Sequence, residues 1–166
     1  MDATAHGPST GSTARRAAGL IGWLALCYGV AAFGAQFSAR GFYQSLNQPA
    51  WAPPGWVFGP VWTALYTMMA IAAWLVWREG GFRGAPLALG LFLVQLAFNG
   101  AWSWIFFGMG ELAWGFADIV ALWVSLLATT VVFWRRDRLA GALMIPYLAW
   151  VTFAAALNFA IWRMNA

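Results

Sequence analysis

Gln95-Leu-Ala-Phe-Asn99-Gly-Ala-Trp102-Ser-Trp-Ile-Phe106-Phe-Gly108 carries opposite chemistry on two faces of one apolar stretch. At about 100° per residue, Gln95, Asn99, Trp102 and Phe106 fall on one helical stripe, while Gly90, Ala97, Ala101 and Gly108 fall nearly opposite. One face is polar and aromatic; the other is close to bare backbone. In lipid a bare face lets another helix approach, whereas amides are costly unless they point into protein or a cavity. The stretch therefore predicts a membrane helix standing between a close helical neighbour and a pocket.

The rest of the chain agrees with a membrane setting. Of 166 residues, 63% are hydrophobic, 8% are charged and thirteen are Trp, more apolar surface than a soluble domain can hide. Five apolar segments stand out: 17–37, 57–77, 86–107, 112–134 and 139–162. Each has roughly 21–24 residues, enough at 1.5 Å per residue to span a hydrocarbon core. The expected fold is all-α: a five-transmembrane-helix bundle in one domain, 17–166, after a disordered tail, 1–16. The formal charge of +4 arises from nine Arg against five acids. These arginines sit at helix ends, so the basicity marks topology and lipid headgroups, not nucleic acid. Arg15, Arg16, Arg78, Arg83, Arg135, Arg136 and Arg138 fall on one side, and only Arg40 and Arg163 on the other. In a plasma-type membrane that bias puts the N-terminus inside.

Arg15-Arg16 before an apolar run imitates a signal peptide, but the run is too long for one and reads as a retained first helix. The single long connection, 38–56, carries Phe42, Tyr43, Leu46, Trp51 and Trp56, with prolines at 49, 53 and 54. Such a loop reads as an ordered aromatic, Pro-rich lid over one end of the bundle; the alternative is an interfacial anchor on headgroups. In the second segment Phe58, Trp62, Leu65 and Met69 form a stripe with Tyr66 at its edge. In the fifth, Tyr147, Val151, Ala154 and Asn158 share a face beyond a kink expected at Pro146, with Trp150 beside them. Asp118 is a functional-site candidate as an intramembrane acid; a structural role near the helix end is the other reading.

Much chemistry is absent. One tail histidine, His6, and one membrane cysteine, Cys27, are the whole supply, so neither a metal cluster nor a Ser/His/Asp or Cys/His set can be assembled. No glycine pattern for nucleotides is present. No cofactor is required. What remains is a covered pocket whose expected lining is Tyr43, Trp51, Trp62, Tyr66, Gln95, Asn99, Trp102, Tyr147, Trp150, Ala154 and Asn158, suited to flat hydrophobic ligands with a few polar edges.

Three stretches in register, Pro49-Ala-Trp-Ala-Pro-Pro-Gly-Trp-Val-Phe-Gly-Pro-Val-Trp-Thr-Ala-Leu-Tyr66, Gln95 to Gly108, and Pro146-Tyr-Leu-Ala-Trp-Val-Thr-Phe-Ala-Ala-Ala-Leu-Asn158, resemble the signatures of the TspO/MBR family. Its members are also called tryptophan-rich sensory proteins, translocator proteins or peripheral-type benzodiazepine receptors. The resemblance implies a five-helix bundle whose first loop closes a cavity for porphyrins or haem precursors, for sterols in animal members, and for isoquinoline- or benzodiazepine-type ligands. It implies a receptor or carrier, homodimers, and in some bacterial members light-dependent breakdown of protoporphyrin through two cavity tryptophans, matched by Trp62 and Trp150. The family's cavity asparagine matches Asn99, and its lid aromatics match Tyr43 and Trp51. A scaffold with an incidental pocket is a third possibility. The stripe Gly90, Ala97, Ala101 and Gly108 is the expected dimer face, with packing inside one subunit as its competitor.

Two positions depart from the family pattern. Gln48 stands where a lysine is frequent, removing a charge that could meet a propionate. Phe159 stands at the tyrosine place of the animal sterol motif, so sterol binding is expected to be weak.

Overall fold

The computed structural model describes residues 10–38 and 41–166. His6, Arg40 and the first nine residues of the expected tail lie outside them. Five helices are long and apolar enough to cross a membrane: α1 (Thr10–Ser38), α2 (Phe58–Trp77), α3 (Pro86–Ser103), α4 (Leu112–Arg136) and α5 (Arg138–Asn165). The chain is an integral multi-pass membrane protein. Its helices form a closed ring in the order α1–α2–α5–α4–α3. Large apolar side chains such as Ile21, Leu87, Trp114 and Val124 are exposed on the outside, as expected where the solvent is lipid.

The first helix starts earlier than its apolar run. Residues 10–16, expected in the tail, are helical because the turn around Arg15 and Arg16 finds partners on α2. The Trp74 indole N–H donates to the Arg16 carbonyl at 2.8 Å, and the Arg15 guanidinium lies 5.3 Å from the Trp77 ring centroid. Arg78 pairs with Asp137 at 3.6 Å, and an Arg136 guanidinium N–H donates to the Gly84 carbonyl at 2.6 Å. The arginine-rich helix ends are thus gathered at one end of the bundle.

Local chemistry sets the other boundaries. Pro86 opens α3 and Pro60 lies in the first turn of α2, where no intrahelical N–H is needed. Asp137 caps α5 by accepting from the Leu139 and Ala140 N–H groups at 2.8 and 3.0 Å. A Cβ on Gly141 would come within 2.5 Å of the Trp134 backbone, so only glycine lets α4 and α5 meet so closely after a one-residue turn. α5 runs unbroken through Pro146.

The end of α3 departs from regular geometry. Trp104–Gly108 form a π-helical turn, with the Met109 N–H donating to the Trp104 carbonyl at 2.9 Å. Such turns are rare and concentrate at functional sites. The wider turn brings two consecutive rings inward. Phe106 stacks on Trp102 at 5.1 Å, and Phe107 meets Phe106 edge-on at 4.9 Å.

Candidate functional site

At the end of the bundle crossed by the 41–57 connection, α1, α2 and α3 part around a cavity of about 430 Å³. α2 contributes Phe58, Trp62 and Tyr66, four residues apart on one face; α3 contributes Trp102 and Ser103, and the π turn after it Phe107. The α1 wall is small: Ala31, Ala32, Gly34 and Ala35, with Tyr28 and Ser38 at its ends. Tyr43, Gln44 and Gly55 complete the lining from the connection. Of the expected ligand-binding residues, Tyr43, Trp62, Tyr66 and Trp102 therefore share the cavity surface.

The other expected residues lie elsewhere, for reasons of hydrogen bonding and packing. Asn99 is buried behind Tyr66: it accepts from the Tyr66 hydroxyl and donates to the Tyr147 hydroxyl at 2.7 Å. Asn158 accepts from the Trp102 indole at 3.0 Å and donates to the Leu112 carbonyl at 3.1 Å, joining α3, α4 and α5. In a bilayer interior a polar group must find its partner within the protein, and each of these two asparagines finds one acceptor and one donor on other helices. Ala154 is buried in the core with them. Trp150 stands behind the wall, edge-on to Trp62 at 6.5 Å and to Phe58 at 5.9 Å. Its indole N–H is buried with no hydrogen-bond partner among the described residues, as are both polar atoms of Gln95 and one Asp118 oxygen. Gln95 is fully buried away from the cavity, and Asp118 is half-buried.

The connection is ordered over this end of the bundle by many small contacts. Tyr43 is buried, its hydroxyl donates to the Pro53 carbonyl at 3.3 Å, and its ring meets Phe58 at 5.3 Å. Burial pushes the Tyr43 phenol above its ordinary pKa, so it remains a protonated donor at neutral pH. Phe42 reaches Phe106 at 6.2 Å. The Asn47 N–H donates to the Asn165 side-chain oxygen at 3.0 Å, and the Asn165 amide donates back to the Asn47 carbonyl at 2.9 Å, clipping the connection to the end of α5. Gln48 donates its amide to the Tyr43 carbonyl, so its side chain folds back into the connection.

Residues 23–163 match the TspO/MBR family. Protein CrtK of Rhodobacter capsulatus is 44% identical over 84% of this chain and 88% of its own length. The human translocator protein is 44% identical over 75% of each chain. The tryptophan-rich sensory protein of Cereibacter sphaeroides is 41% identical over 86% of this chain and 89% of its own. The chain belongs to the TspO/MBR family.

In this TspO/MBR protein Trp51 is 52% exposed and touches α5 through Phe153 at 5.8 Å; it does not line the cavity. The small-residue stripe on α3 divides. Ala97 and Ala101 face an external groove of about 510 Å³ shared with Ala25 and Gly29 of α1. Gly108 turns inward, where an added Cβ would stand 2.9 Å from Phe37, and so serves packing within the subunit. Several residues that shape the site gave no sequence signal. The α1 wall is alanine and glycine, the Asn47–Asn165 clip joins residues far apart in the chain, and the π turn has no local motif.

Proposed function

We propose that this TspO/MBR protein is a membrane receptor or carrier that takes tetrapyrroles, porphyrin or haem precursors, and related flat apolar ligands into the cavity between α1, α2 and α3. The observation that carries the reading is the facing of Phe58, Trp62 and Tyr66 with Trp102 and Phe107 across about 430 Å³. That volume falls within the range of small-molecule pockets, roughly 300–1,000 Å³, and ring-lined walls favour a planar aromatic guest. The names of the human and Cereibacter relatives, translocator protein and tryptophan-rich sensory protein, support transport or sensing.

None of the described residues lining the cavity is charged. A macrocycle is therefore held by its apolar body, with its carboxylates toward the connection, where the Gln44 amide lies. The 41–57 connection acts as the lid, and the groove beside Ala97 and Ala101 receives a second copy of the chain.

Titration of the protein in nanodiscs with protoporphyrin IX, followed by tryptophan quenching, tests this. Trp62→Phe keeps an apolar ring but loses indole area, and weakens binding by about 0.5–1.5 kcal/mol; Trp150→Phe, one layer back, weakens it less. Unchanged affinity in Trp62→Phe places the ligand elsewhere. A second reading, light-driven oxidation of the bound porphyrin by dissolved dioxygen, is favoured by the Trp62–Trp150 edge contact at 6.5 Å. Protein-dependent product on illumination supports it; unchanged porphyrin leaves binding alone.

A further inference from the structure

The cavity wall is open on one side. Ala32 and Ala35 of α1 and Gly59 and Thr63 of α2 line the cavity and are exposed. A Cβ added to Gly59 would meet nothing within 4 Å. At this level α1 leans on α3 instead of α2: Gly34 packs against Ser103, and Phe37 against Gly108. Toward the arginine-rich end the same two helices are sealed. There the Trp77 ring fills the space over Gly19, and the Trp74 indole holds the Arg16 carbonyl.

Tyr28 stands where the seal ends. It is 39% exposed and lines the cavity, and its hydroxyl is 2.7 Å from the Thr67 hydroxyl and 3.4 Å from the Thr63 carbonyl. Thr67 in turn donates to the Thr63 carbonyl at 2.8 Å, and Thr63 to the Gly59 carbonyl at 2.9 Å. Every hydroxyl at this seam thus has a partner, as a lipid-facing surface requires. From Tyr28 to Ser38 the slot extends for about ten residues, or about 15 Å, half of a hydrocarbon core of about 30 Å.

We propose that the slot between α1 and α2 is a lateral portal through which an apolar ligand passes directly between one leaflet of the bilayer and the cavity, and that Tyr28, hydrogen-bonded to Thr67, is its threshold. The inference rests on the reading of the cavity as a tetrapyrrole site. A flat guest partitioned into the membrane reaches the aromatic walls without crossing water. The small side chains of α1 act as clearance, and the Tyr28–Thr67 bond limits how far the two helices part.

The test uses protein in nanodiscs mixed with vesicles preloaded with protoporphyrin IX, with uptake and release followed by stopped-flow tryptophan quenching. Tyr28→Phe removes the bond, and both uptake and release become about five-fold faster, the factor corresponding to one hydrogen bond of ordinary net worth. Ala32→Trp fills the slot at an exposed position that the fold tolerates, and the fast phase is lost in both directions. Ala35→Trp repeats the plug one turn on. Parallel changes in both rates support the portal, because a residue acting only on the bound state alters release alone. Binding with rates unaltered in all three variants overturns the portal and leaves the cavity standing. No saturable binding by the unmodified protein overturns the tetrapyrrole reading, and the portal with it.

Discussion

Asn99→Leu tests the polar centre of the bundle, because one side chain there supplies partners to two tyrosines at once. Leucine is close to asparagine in length but offers neither the acceptor for Tyr66 nor the donor for Tyr147. The two phenols are not equally placed. Tyr66 lines the cavity and its hydroxyl can turn toward water or ligand there. Tyr147 is 0% exposed and has no such refuge. Interhelical hydrogen bonds in membranes average about 0.6 kcal/mol and reach about 1.7, and a stranded buried hydroxyl adds roughly 1–3 kcal/mol. The expected loss in Asn99→Leu is therefore about 2–4 kcal/mol, most of it from Tyr147. Tyr147→Phe alone strands the buried Asn99 N–H that donates to it and should cost about 1–3 kcal/mol, and added to Asn99→Leu it should recover part of the loss by removing the stranded hydroxyl. Cys27 provides the assay. It is the lone cysteine and is 0% exposed, so a thiol-reactive fluorophore reports denaturant-driven unfolding in detergent without any engineered cysteine. Losses that simply add in the double variant, or an Asn99→Leu protein as stable as the original, refute the relay as a coupled unit.

Three other outcomes are expected. In a Cys27→Ala background, Ser45→Cys on the connection is labelled by an impermeant maleimide from outside intact spheroplasts, and Arg135→Cys only after lysis; the reverse pattern refutes the arginine bias as a guide to orientation. Arg135 is chosen because Asp137 caps α5 and pairs with Arg78, so replacing it would perturb the fold. Ala101→Leu fills the outer groove between α1 and α3 where we propose that a second copy docks, and is expected to run as a folded monomer on gel filtration; a variant that keeps a dimeric size removes this face from the proposed interface. Phe159→Tyr places a hydroxyl on a ring that is 46% exposed beside Phe116 and Trp162. It is expected to raise sterol photo-crosslinking by the equivalent of about 1 kcal/mol and to leave the porphyrin titration unaltered, whereas no gain excludes this position as a determinant of sterol recognition.

The legible parts of the site were those with a helical repeat. Phe58, Trp62 and Tyr66 stand four residues apart, so their shared face follows from the geometry of one helix, and they do line the cavity. Gln95, Asn99, Trp102 and Phe106 point inward together for the same reason, but a common inward face does not say what each residue meets. Asn99 and Asn158 looked like ligand contacts because amides in lipid need partners; those partners are tyrosine, tryptophan and a carbonyl on other helices. Gly108 shared a stripe with Ala97 and Ala101, yet the π turn that ends α3 lies between them and carries Gly108 onto Phe37.

From sequence alone came the membrane setting, the number of spans and their bounds to within a few residues at most ends, because burial in hydrocarbon depends on the summed apolarity of about twenty consecutive residues. The start of α1 escaped that rule, since Arg15 and Arg16 are held by Trp77 and Trp74 of α2 rather than by their own hydropathy. The ring order α1–α2–α5–α4–α3 decided everything else: which aromatic residues enclose space, which amides find partners, and where the wall is thin. The cavity wall on α1 is made of alanine and glycine, residues that leave space by what they lack, and such absence becomes a cavity only when the opposing helix is placed.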